Sequence, residues 1–245
     1  MRALHVPAAG EQPVLGELPT PAVPDGHVLI KVEAVGLNAL ANILADFVTA
    51  AALPLAGAAA LATVEHVDPR PGQVVLVNGA TGGVGSYAVQ LPAARGANVV
   101  ATGTSADAER LTELGATTVV DFTAGSVADQ VRELHPDGAD GLVNLVGNTI
   151  DDVPLAAVRK NGKVGSTTVN PDADALAAAG LTGTTVFAAP GAETIAPLAE
   201  QAANGTLSVE VGTVLPLDRA AEGLAIIAAG KAGGKIVITI NDQVY

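Results

Sequence analysis

The stretch that most constrains the fold runs from Gln73 to Gly85 and combines an apolar segment, a glycine-rich turn and the start of a helix. The apolar segment, Val74–Val77, is short and β-branched, as buried parallel strands are. The turn, residues 78–85, fits the pattern A-x-G-x-x-G with Ala80, Gly82 and Gly85 at the fixed positions. Gly82 has no Cβ to keep a pyrophosphate from the backbone, and Gly85 allows close packing of helix on strand. The pattern predicts a dinucleotide site; the alternative is an ordinary glycine-rich turn.

Composition limits the class of protein. Of 245 residues, 49% are apolar but only 2% are aromatic, so the core must consist of closely packed small side chains, as in a layered α/β sheet. A net charge of −13 argues against nucleic acid or an anionic membrane as partner. The absence of cysteine excludes disulfides, thiolate zinc sites and a cysteine nucleophile. The most apolar stretch, Val48–Val64, suits a buried helix better than a membrane span, and no signal peptide is evident. We therefore expect a cytoplasmic protein.

The order of the patterns predicts a doubly wound parallel sheet, because strands and helices alternate with short connections from residue 74 onward. Residues 2–36 are predicted to be β structure, and residues 39–67 to be helical with a break at Pro54. Predicted strands are Arg2–His5, Val14–Leu18, His27–Val35, Val74–Val77, Asn98–Ala101, Thr118–Asp121, Gly141–Val146, Lys163–Ser166, Thr184–Ala188, Ser208–Val214 and Lys235–Ile240. Predicted helices are Gly83–Ala94, Ala106–Leu114, Val127–Leu134, Val153–Val158, Ala192–Ala203 and Ala220–Ala229.

Several motifs together carry a family resemblance. They are Val35–Asn38, Ala51–Gly57, Val77–Gly85 and Gly233–Ile238, with fitting spacing in Leu114–Ala116 and Gly138–Val143. In these motifs the chain resembles the medium-chain dehydrogenase/reductase superfamily, and within it the zinc-free quinone oxidoreductase and enoyl reductase branch. The resemblance is nearly continuous from about residue 50 to residue 245.

The resemblance implies two domains: a Rossmann dinucleotide-binding domain at residues 50–206, and a truncated GroES-like β lobe made from residues 1–49 and 207–245. Only Ala39–Thr49 stand where the family has most of that lobe. The missing part includes the acidic and tyrosine positions that the family often keeps. Ala59 stands where the family usually has a threonine that reaches the nicotinamide.

These features lead to a primary functional hypothesis and two alternatives. The first is an NADPH-dependent reductase of a quinone or an α,β-unsaturated carbonyl compound, acting by hydride transfer without a metal, since the cofactor itself carries this chemistry. The shortened lobe also suits a non-redox biosynthetic enzyme, such as a cyclase or isomerase. A nucleotide-sensing or scaffold protein without turnover is the third hypothesis.

Cofactor preference depends on the residues after the strand Asn98–Ala101, where no acidic residue follows directly to bind the ribose hydroxyls of NAD. Thr104 and Ser105 leave room for a 2′-phosphate and Arg110 is able to pair with it, which favours NADP. Against this, Asp107 stands where NADPH-using relatives tend to have a basic residue, and the two hydroxyl residues are also helix caps by type. The residues that we predict to bind the cofactor are Ala80, Thr81, Gly82, Gly83, Val84, Gly85, Thr104, Ser105, Arg110, Val146, Gly147, Phe187 and Lys235.

The predicted catalytic residues are Asn38, Tyr87 and Asp46. Asn38 belongs to the family motif and is expected to line the reacting atoms, with a strand-end turn as its alternative role. Tyr87 is a candidate proton donor or a packing residue, and Asp46 is a candidate acid/base. The four histidines are scattered without metal-ligand spacing, so no metal site is predicted. Relatives pair the last strand of the sheet across a two-fold axis, which implies a homodimer acting on a small-molecule substrate.

Overall fold

The computed structural model describes residues 2–5, 7, 14–20, 22, 34–35, 47–168, 173–188 and 190–240. Its strands are β1 (Arg2–His5), β2 (Val14–Glu17), β3 (Ala34–Val35), β4 (Val74–Asn78), β5 (Asn98–Gly103), β6 (Thr118–Asp121), β7 (Ala139–Asn144), β8 (Val158–Ser166), β9 (Thr182–Thr185), β10 (Val211–Pro216) and β11 (Lys235–Thr239). Its helices are α1 (Phe47–Ala52), α2 (Pro54–Val67), α3 (Gly85–Ala94), α4 (Ala108–Glu113), α5 (Val127–Leu134), α6 (Ala173–Ala178), α7 (Ala192–Ala203) and α8 (Ala220–Ala228). None of these described helices is long and apolar enough to cross a membrane.

The central element is a six-stranded parallel sheet in the order β6-β5-β4-β7-β8-β9. The chain moves outward from β4 to β6, returns to β7 beside β4, and moves outward again on the other side. The direction of winding therefore reverses between β4 and β7, and ligands of such sheets bind outside the carboxyl ends of the strands at that point. The predicted fold class, a doubly wound Rossmann-type sheet, is confirmed.

Two apolar layers cover the faces of this sheet. On one face α2, α3 and α7 pack around the β4 and β5 side chains Val75, Val77, Val99 and Ala101. On the other face α5, α6 and a 3-10 turn at residues 155–157 pack on Leu76, Val100, Leu142 and Val164. Side chains that alternate along each strand thus enter opposite layers, and both layers consist mainly of Ala, Val and Leu.

Two strand glycines allow α2 to lie very close to β7 and β8. A Cβ added at Gly141 would overlap the Val67 side chain, and one added at Gly165 would lie 2.8 Å from the Cγ2 of Thr63. Val67 and Thr63 are buried residues of α2. Because the chain has few aromatic residues, its core is filled by bringing helix and sheet close together and not by bulky side chains.

A smaller sheet has the order β10-β11-β3, in which β10 and β11 are parallel and β3 is antiparallel to β11. The α1 residues Ala51 and Ala52 pack on Val237 of this sheet. β1 and β2 form a separate antiparallel pair. The predicted division into residues 50–206 and a lobe from 1–49 and 207–245 stays a prediction.

Several predicted boundaries are wrong. A helix was expected at Val153–Val158, but Pro154 lacks an amide hydrogen, only short 3-10 turns form, and Val158 already belongs to β8. β7 ends at Asn144, so Val146 lies in the following loop, and β9 ends at Thr185, before Phe187. α6 was not predicted. Of the predicted strand His27–Val35, only the last two residues are described, and both lie in β3.

Asp140 ties the amino-terminal edges of three strands together. Its carboxylate accepts hydrogen bonds from the backbone N–H of Val74 at 2.7 Å and from Nε of Arg159 at 2.7 Å. Asp140→Ala leaves both donors without this partner, so we expect the free energy of unfolding in urea to fall by about 1–3 kcal/mol. Asp137→Ala is the matched control, because Asp137 is exposed. Equal losses in the two variants would contradict this assignment.

Candidate functional site

The glycine turn joins β4 to α3 by a tight backbone path. Gly79 has a φ of 90°, in the region that favours glycine, and its carbonyl accepts the N–H of Gly82 at 3.2 Å. A Cβ at Gly85 would overlap the carbonyl oxygens of Gly79 and Ala80. Ala80 is fully buried. The first turn of α3 is therefore fixed directly against the end of β4.

Gly82 differs from Gly85, because the space beside it is open. An added Cβ would meet only the carbonyl oxygen of Gly79, at 3.5 Å, which is an ordinary contact. Gly82 is also partly exposed, as are its neighbours Thr81, Gly83 and Val84. A ligand is therefore able to approach the backbone here, next to the first turn of α3, the end of a helix at which anions bind.

Lys235, the first residue of β11, lies alongside the turn. A Cβ on Gly83 would be 3.2 Å from Cα and 3.3 Å from Cδ of Lys235. Burial lowers the pKa of the Lys235 amine. No carboxylate of the described residues forms an ion pair with it within 4 Å. Its charge is thus available to an anion at the turn.

Arg110, in α4, also contacts the turn. Its Nη2 donates to the carbonyl of Thr81 at 3.4 Å, and the guanidinium lies 3.6 Å from the Asp107 carboxylate and 3.7 Å from that of Glu210. Nη1 is buried without a hydrogen-bond acceptor among the described residues. The guanidinium therefore lies beside the glycine turn, with Nη1 3.7 Å from the Glu210 carboxylate, too far for a hydrogen bond.

Thr104 is occupied in capping the 3-10 turn that follows β5. Asp107 accepts its N–H at 2.9 Å and its hydroxyl at 2.7 Å. Burial acts to raise the pKa of Asp107, but these bonds and the charge of Arg110 outweigh it, and the pKa lies below its usual value. Asp107 is therefore ionised at neutral pH. The capping interpretation holds for Thr104, and Ser105 is exposed in the same turn.

The loop after β7 forms the opposite wall of the crevice, by which we mean the space between the carboxyl ends of β4 and β7. The Cγ1 of Val146 lies 2.6 Å from the position of a Cβ on Gly79, so Val146 covers the turn. Gly147 follows with a φ of 106°. A cavity of about 520 Å³ opens beside Asn78, bounded by residues 150–156, the start of α5 and Ala175. Asn78 is the lining residue that belongs to β4, and the others lie at the start of α5, in α6 and in residues 150–156, so the cavity lies on the α5 side of the sheet.

Sequence reasoning missed a row of buried polar side chains at the same edge of the sheet. Thr102, Asn78, Asn144 and Ser166 stand at or next to the last positions of β5, β4, β7 and β8, and none is more than 7% exposed. The signal was present in the sequence, because each apolar strand ends in a residue that is costly to bury. The strand order, which the sequence alone does not give, decides that these four residues are neighbours.

The structure does not support every predicted site residue. Tyr87 has no exposed surface and its hydroxyl points to the carbonyl of Ala52 at 3.5 Å, so it is a core residue and not a proton donor to a substrate. Phe187 is 85% exposed. Asn38 and Asp46 lie outside the described residues. The structure does bring several predicted residues together at the glycine turn: Arg110, Val146, Gly147 and Lys235.

A sequence profile of the zinc-binding dehydrogenases matches residues 114–238, just over half of the chain. The chain belongs to the zinc-binding dehydrogenase family. This confirms the predicted membership of the medium-chain dehydrogenase/reductase superfamily.

Curated relatives share parts of this sequence. Alcohol dehydrogenase 2 of Caenorhabditis elegans is 34% identical over 119 residues, which are 47% of this chain and 34% of the worm protein. Quinone oxidoreductase-like protein 2 homolog of Nematostella vectensis is 32% identical over 122 residues, which are 49% of this chain and 33% of that protein. The matched stretch thus spans about a third of the length of these curated relatives.

Solved structures match over more of the chain. A quinone oxidoreductase of Pseudomonas syringae aligns with a TM-score of 0.71 at 27% identity, covering 82% of this chain and 67% of that one. The mycobacterial protein Rv1454c, solved in complex with NADPH, aligns with a TM-score of 0.68 at 28% identity, covering 78% of this chain and 64% of that one.

The family name refers to zinc, which proteins bind through clusters of Cys, His, Asp or Glu. This chain has no cysteine. In the part that the structure describes, no three His, Asp or Glu side chains come close enough together to hold a metal ion. The described residues do not supply a zinc site, and the expectation of a metal-free protein stays a prediction.

The core position of Tyr87 has a consequence at alkaline pH. Burial, and next the charge of Glu210, raise the pKa of Tyr87 above its ordinary value of 10.0. Above pH 10 the unfolded chain therefore loses this proton while the folded protein keeps it, and stability falls by up to about 1.4 kcal/mol per pH unit. Tyr87→Phe removes this contribution, so its free energy of unfolding should fall less steeply between pH 10 and 11 than that of the wild type. Identical slopes would show that Tyr87 ionises in the folded state.

Proposed function

We propose that this chain is a nicotinamide-dinucleotide-dependent reductase of a quinone or an α,β-unsaturated carbonyl compound, with NADPH as the preferred cofactor. The observation that carries the proposal is the open backbone at Gly82, between the cationic side chains of Arg110 and Lys235 at the start of α3. The relatives named quinone oxidoreductase and the NADPH complex of a structural neighbour support the same reading.

The residues of the turn fit a diphosphate on physical grounds. A helix start offers free N–H groups and a partial positive charge, and Gly82 adds no side chain in front of them. In a protein of net charge −13, Lys235 is a cation beside the turn that no carboxylate of the described residues pairs with, so it attracts an anion there. Lys235 is already partly desolvated, so its interaction with a phosphate is stronger than in water.

The cofactor supplies the hydride, and the chain has to bind and orient it against the substrate. The turn and Lys235 would hold the diphosphate, while Val146 would bound the crevice on the β7 side. Val146 is 45% exposed, so it offers an apolar surface to a ring or to the substrate. Because Tyr87 is buried, the proton that completes the reduction has to come from another group or from solvent.

The preference for NADPH rests on Arg110. Its Nη1 has no hydrogen-bond acceptor among the described residues, and the nearest carboxylate atoms are those of Asp107, 3.6 Å from Nη2, and Glu210, 3.7 Å from Nη1. The Arg110 side chain is partly exposed, so a 2′-phosphate would be able to pair with the guanidinium at shorter distance than either carboxylate, and an arginine–phosphate pair is a strong, charge-assisted interaction. The carboxylates of Asp107 and Glu210 offset the charge of Arg110, so we propose that the preference comes from direct arginine–phosphate hydrogen bonds and not from the net local charge.

The main test combines binding, turnover and a substitution at Gly82. The purified protein should bind NADPH in a calorimetric titration and consume it when a quinone or enone is added. Gly82→Val should weaken NADPH binding by at least about tenfold, or 1.4 kcal/mol, because its side chain fills the approach to the backbone. Its melting temperature should stay close to that of the wild type, since a Cβ fits there.

Two control variants separate binding from folding. Ala203→Val places the same valine side chain at the exposed end of α7 and should leave binding unchanged and the melting temperature close to that of the wild type. Gly85→Ala should lower the melting temperature itself, because no Cβ fits beside Gly79. If the wild type binds no nicotinamide dinucleotide, or Gly82→Val binds as well as the wild type, the reductase proposal fails and the non-redox alternative gains support.

The cofactor preference has its own test in Arg110→Ala. Loss of a charged hydrogen bond costs about 1.5–3 kcal/mol, so affinity for NADPH should fall by at least about tenfold. Affinity for NADH, which has no 2′-phosphate, should change by less than about threefold, since the loss concerns only that charged pair. Arg70→Ala, an exposed arginine at the opposite edge of the sheet, is the control. Equal losses of affinity for both cofactors would mean that Arg110 acts through the glycine turn and not on the 2′-phosphate.

A further inference from the structure

The buried polar row defined by Thr102, Asn78, Asn144 and Ser166 crosses four adjacent strands of the sheet. Asn78 stands opposite Asn144, and Asn144 opposite Ser166, in the registers of their strand pairs. Thr102 follows Ala101, the partner of Val77, and so comes next to Asn78. The row therefore runs along the carboxyl edge of the sheet, directly beneath the crevice.

Hydrogen bonds connect the members of the row. Asn78 Nδ2 donates to Asn144 Oδ1 at 2.9 Å, and Asn144 Nδ2 donates to Ser166 Oγ at 3.2 Å. The Thr102 hydroxyl has Asn78 Oδ1 and the Val77 carbonyl as alternative acceptors, both at 3.4 Å. Buried amides and hydroxyls are costly unless they are paired in this way.

Two members of the row also hold the loops that form the crevice. The Thr102 hydroxyl accepts the N–H of Gly79, the first residue after β4, at 2.8 Å. The side-chain amide of Asn144 donates to the carbonyl of Val146, in the loop after β7, at 2.9 Å. Val146 is the residue that covers Gly79. One connected set of bonds thus fixes both walls of the crevice relative to each other.

We infer that Asn144 and Thr102 are positioning residues for the dinucleotide, acting through Val146 and Gly79 respectively. This inference rests on the proposed function, because it concerns the same crevice. Neither side chain touches the ligand site directly, since Asn144 is fully buried and Thr102 is 2% exposed. Their effect is to hold the turn amides and the covering valine at the spacing that a bound dinucleotide needs.

Asn144→Asp is the sharpest variant, because it keeps the shape and replaces the amide donor by a carboxylate oxygen. An ionised carboxylate would face the Val146 carbonyl and repel it, whereas a protonated carboxyl would donate to it again. Burial disfavours the charged form of a carboxyl, so this group takes up its proton at a higher pH than an exposed one does. We therefore expect the binding of NAD⁺ and NADP⁺ to be weakened about tenfold or more at pH 8 and to recover towards the wild-type value at pH 5.5. The wild type, measured at each pH, provides the reference ratio.

Thr102 offers a second, independent pair of variants. Thr102→Val removes the acceptor of the Gly79 N–H with little change in volume and should weaken dinucleotide binding by about threefold to tenfold. Thr102→Ser keeps the hydroxyl and should restore binding to within about twofold. Ser166→Ala leaves the Asn144–Val146 bond in place, so its binding constant should also stay within about twofold of the wild type.

The outcomes separate the inference from the proposed function. If the wild type binds neither NAD⁺ nor NADP⁺ in the titration, the proposed function fails and this inference with it. If the wild type binds, a pH-independent loss in Asn144→Asp, or unchanged binding in both Asn144→Asp and Thr102→Val with only a lower melting temperature, overturns the inference alone. Should Asn144→Asp fail to fold, equal binding by Thr102→Val and Thr102→Ser has the same meaning.

Discussion

The contact between the start of α3 and the end of β4 is the constraint on which the candidate site depends. Backbone meets backbone there, because Gly85 has no side chain to separate the helix from the carbonyl oxygens of Gly79 and Ala80. The contact fixes the direction of the first helical turn, and so also the direction of its free N–H groups. Val146 then closes the turn from the β7 side. A ligand at Gly82 is therefore bounded by groups whose positions the sheet determines.

The electrostatics of the site are assembled from distant parts of the chain. Glu210 and Lys235 come from residues beyond 207, yet Glu210 lies 3.7 Å from Arg110 of α4 and Lys235 lies alongside Gly83. The backbone N–H of Lys235 donates to the Glu210 carbonyl at 3.0 Å, which fixes the two charged residues to each other. The C-terminal strands β10 and β11 thus complete a site that begins at the glycine turn. The charge pattern of any single segment would not have indicated this.

Much of the fold was predictable, because the apolar strands and the residues that end each helix are local signals. The strand Thr118–Asp121 and the helices Val127–Leu134 and Ala192–Ala203 were predicted with the bounds that the structure has. Ser126 caps α5 by accepting the N–H of Asp129 at 3.2 Å. Errors occurred where periodicity was weak: alanine-rich residues before Val158 resemble a helix, although Pro154 and the pairing of Val158 with Ala139 decide otherwise.

The site was predictable only in its local part. The spacing of the glycines identifies the turn, but the helix face that Tyr87 occupies is decided by packing against α2, which no local pattern specifies. The polar row shows the same limit more clearly, since Asn78 and Asn144 are 66 residues apart and bond only because β4 and β7 are neighbours. A sequence reveals that a strand ends in a polar residue. Only the order of the strands reveals which ends meet, and buried amides need a specific partner. A polar residue at the end of an otherwise apolar strand therefore becomes informative once a parallel topology is assigned.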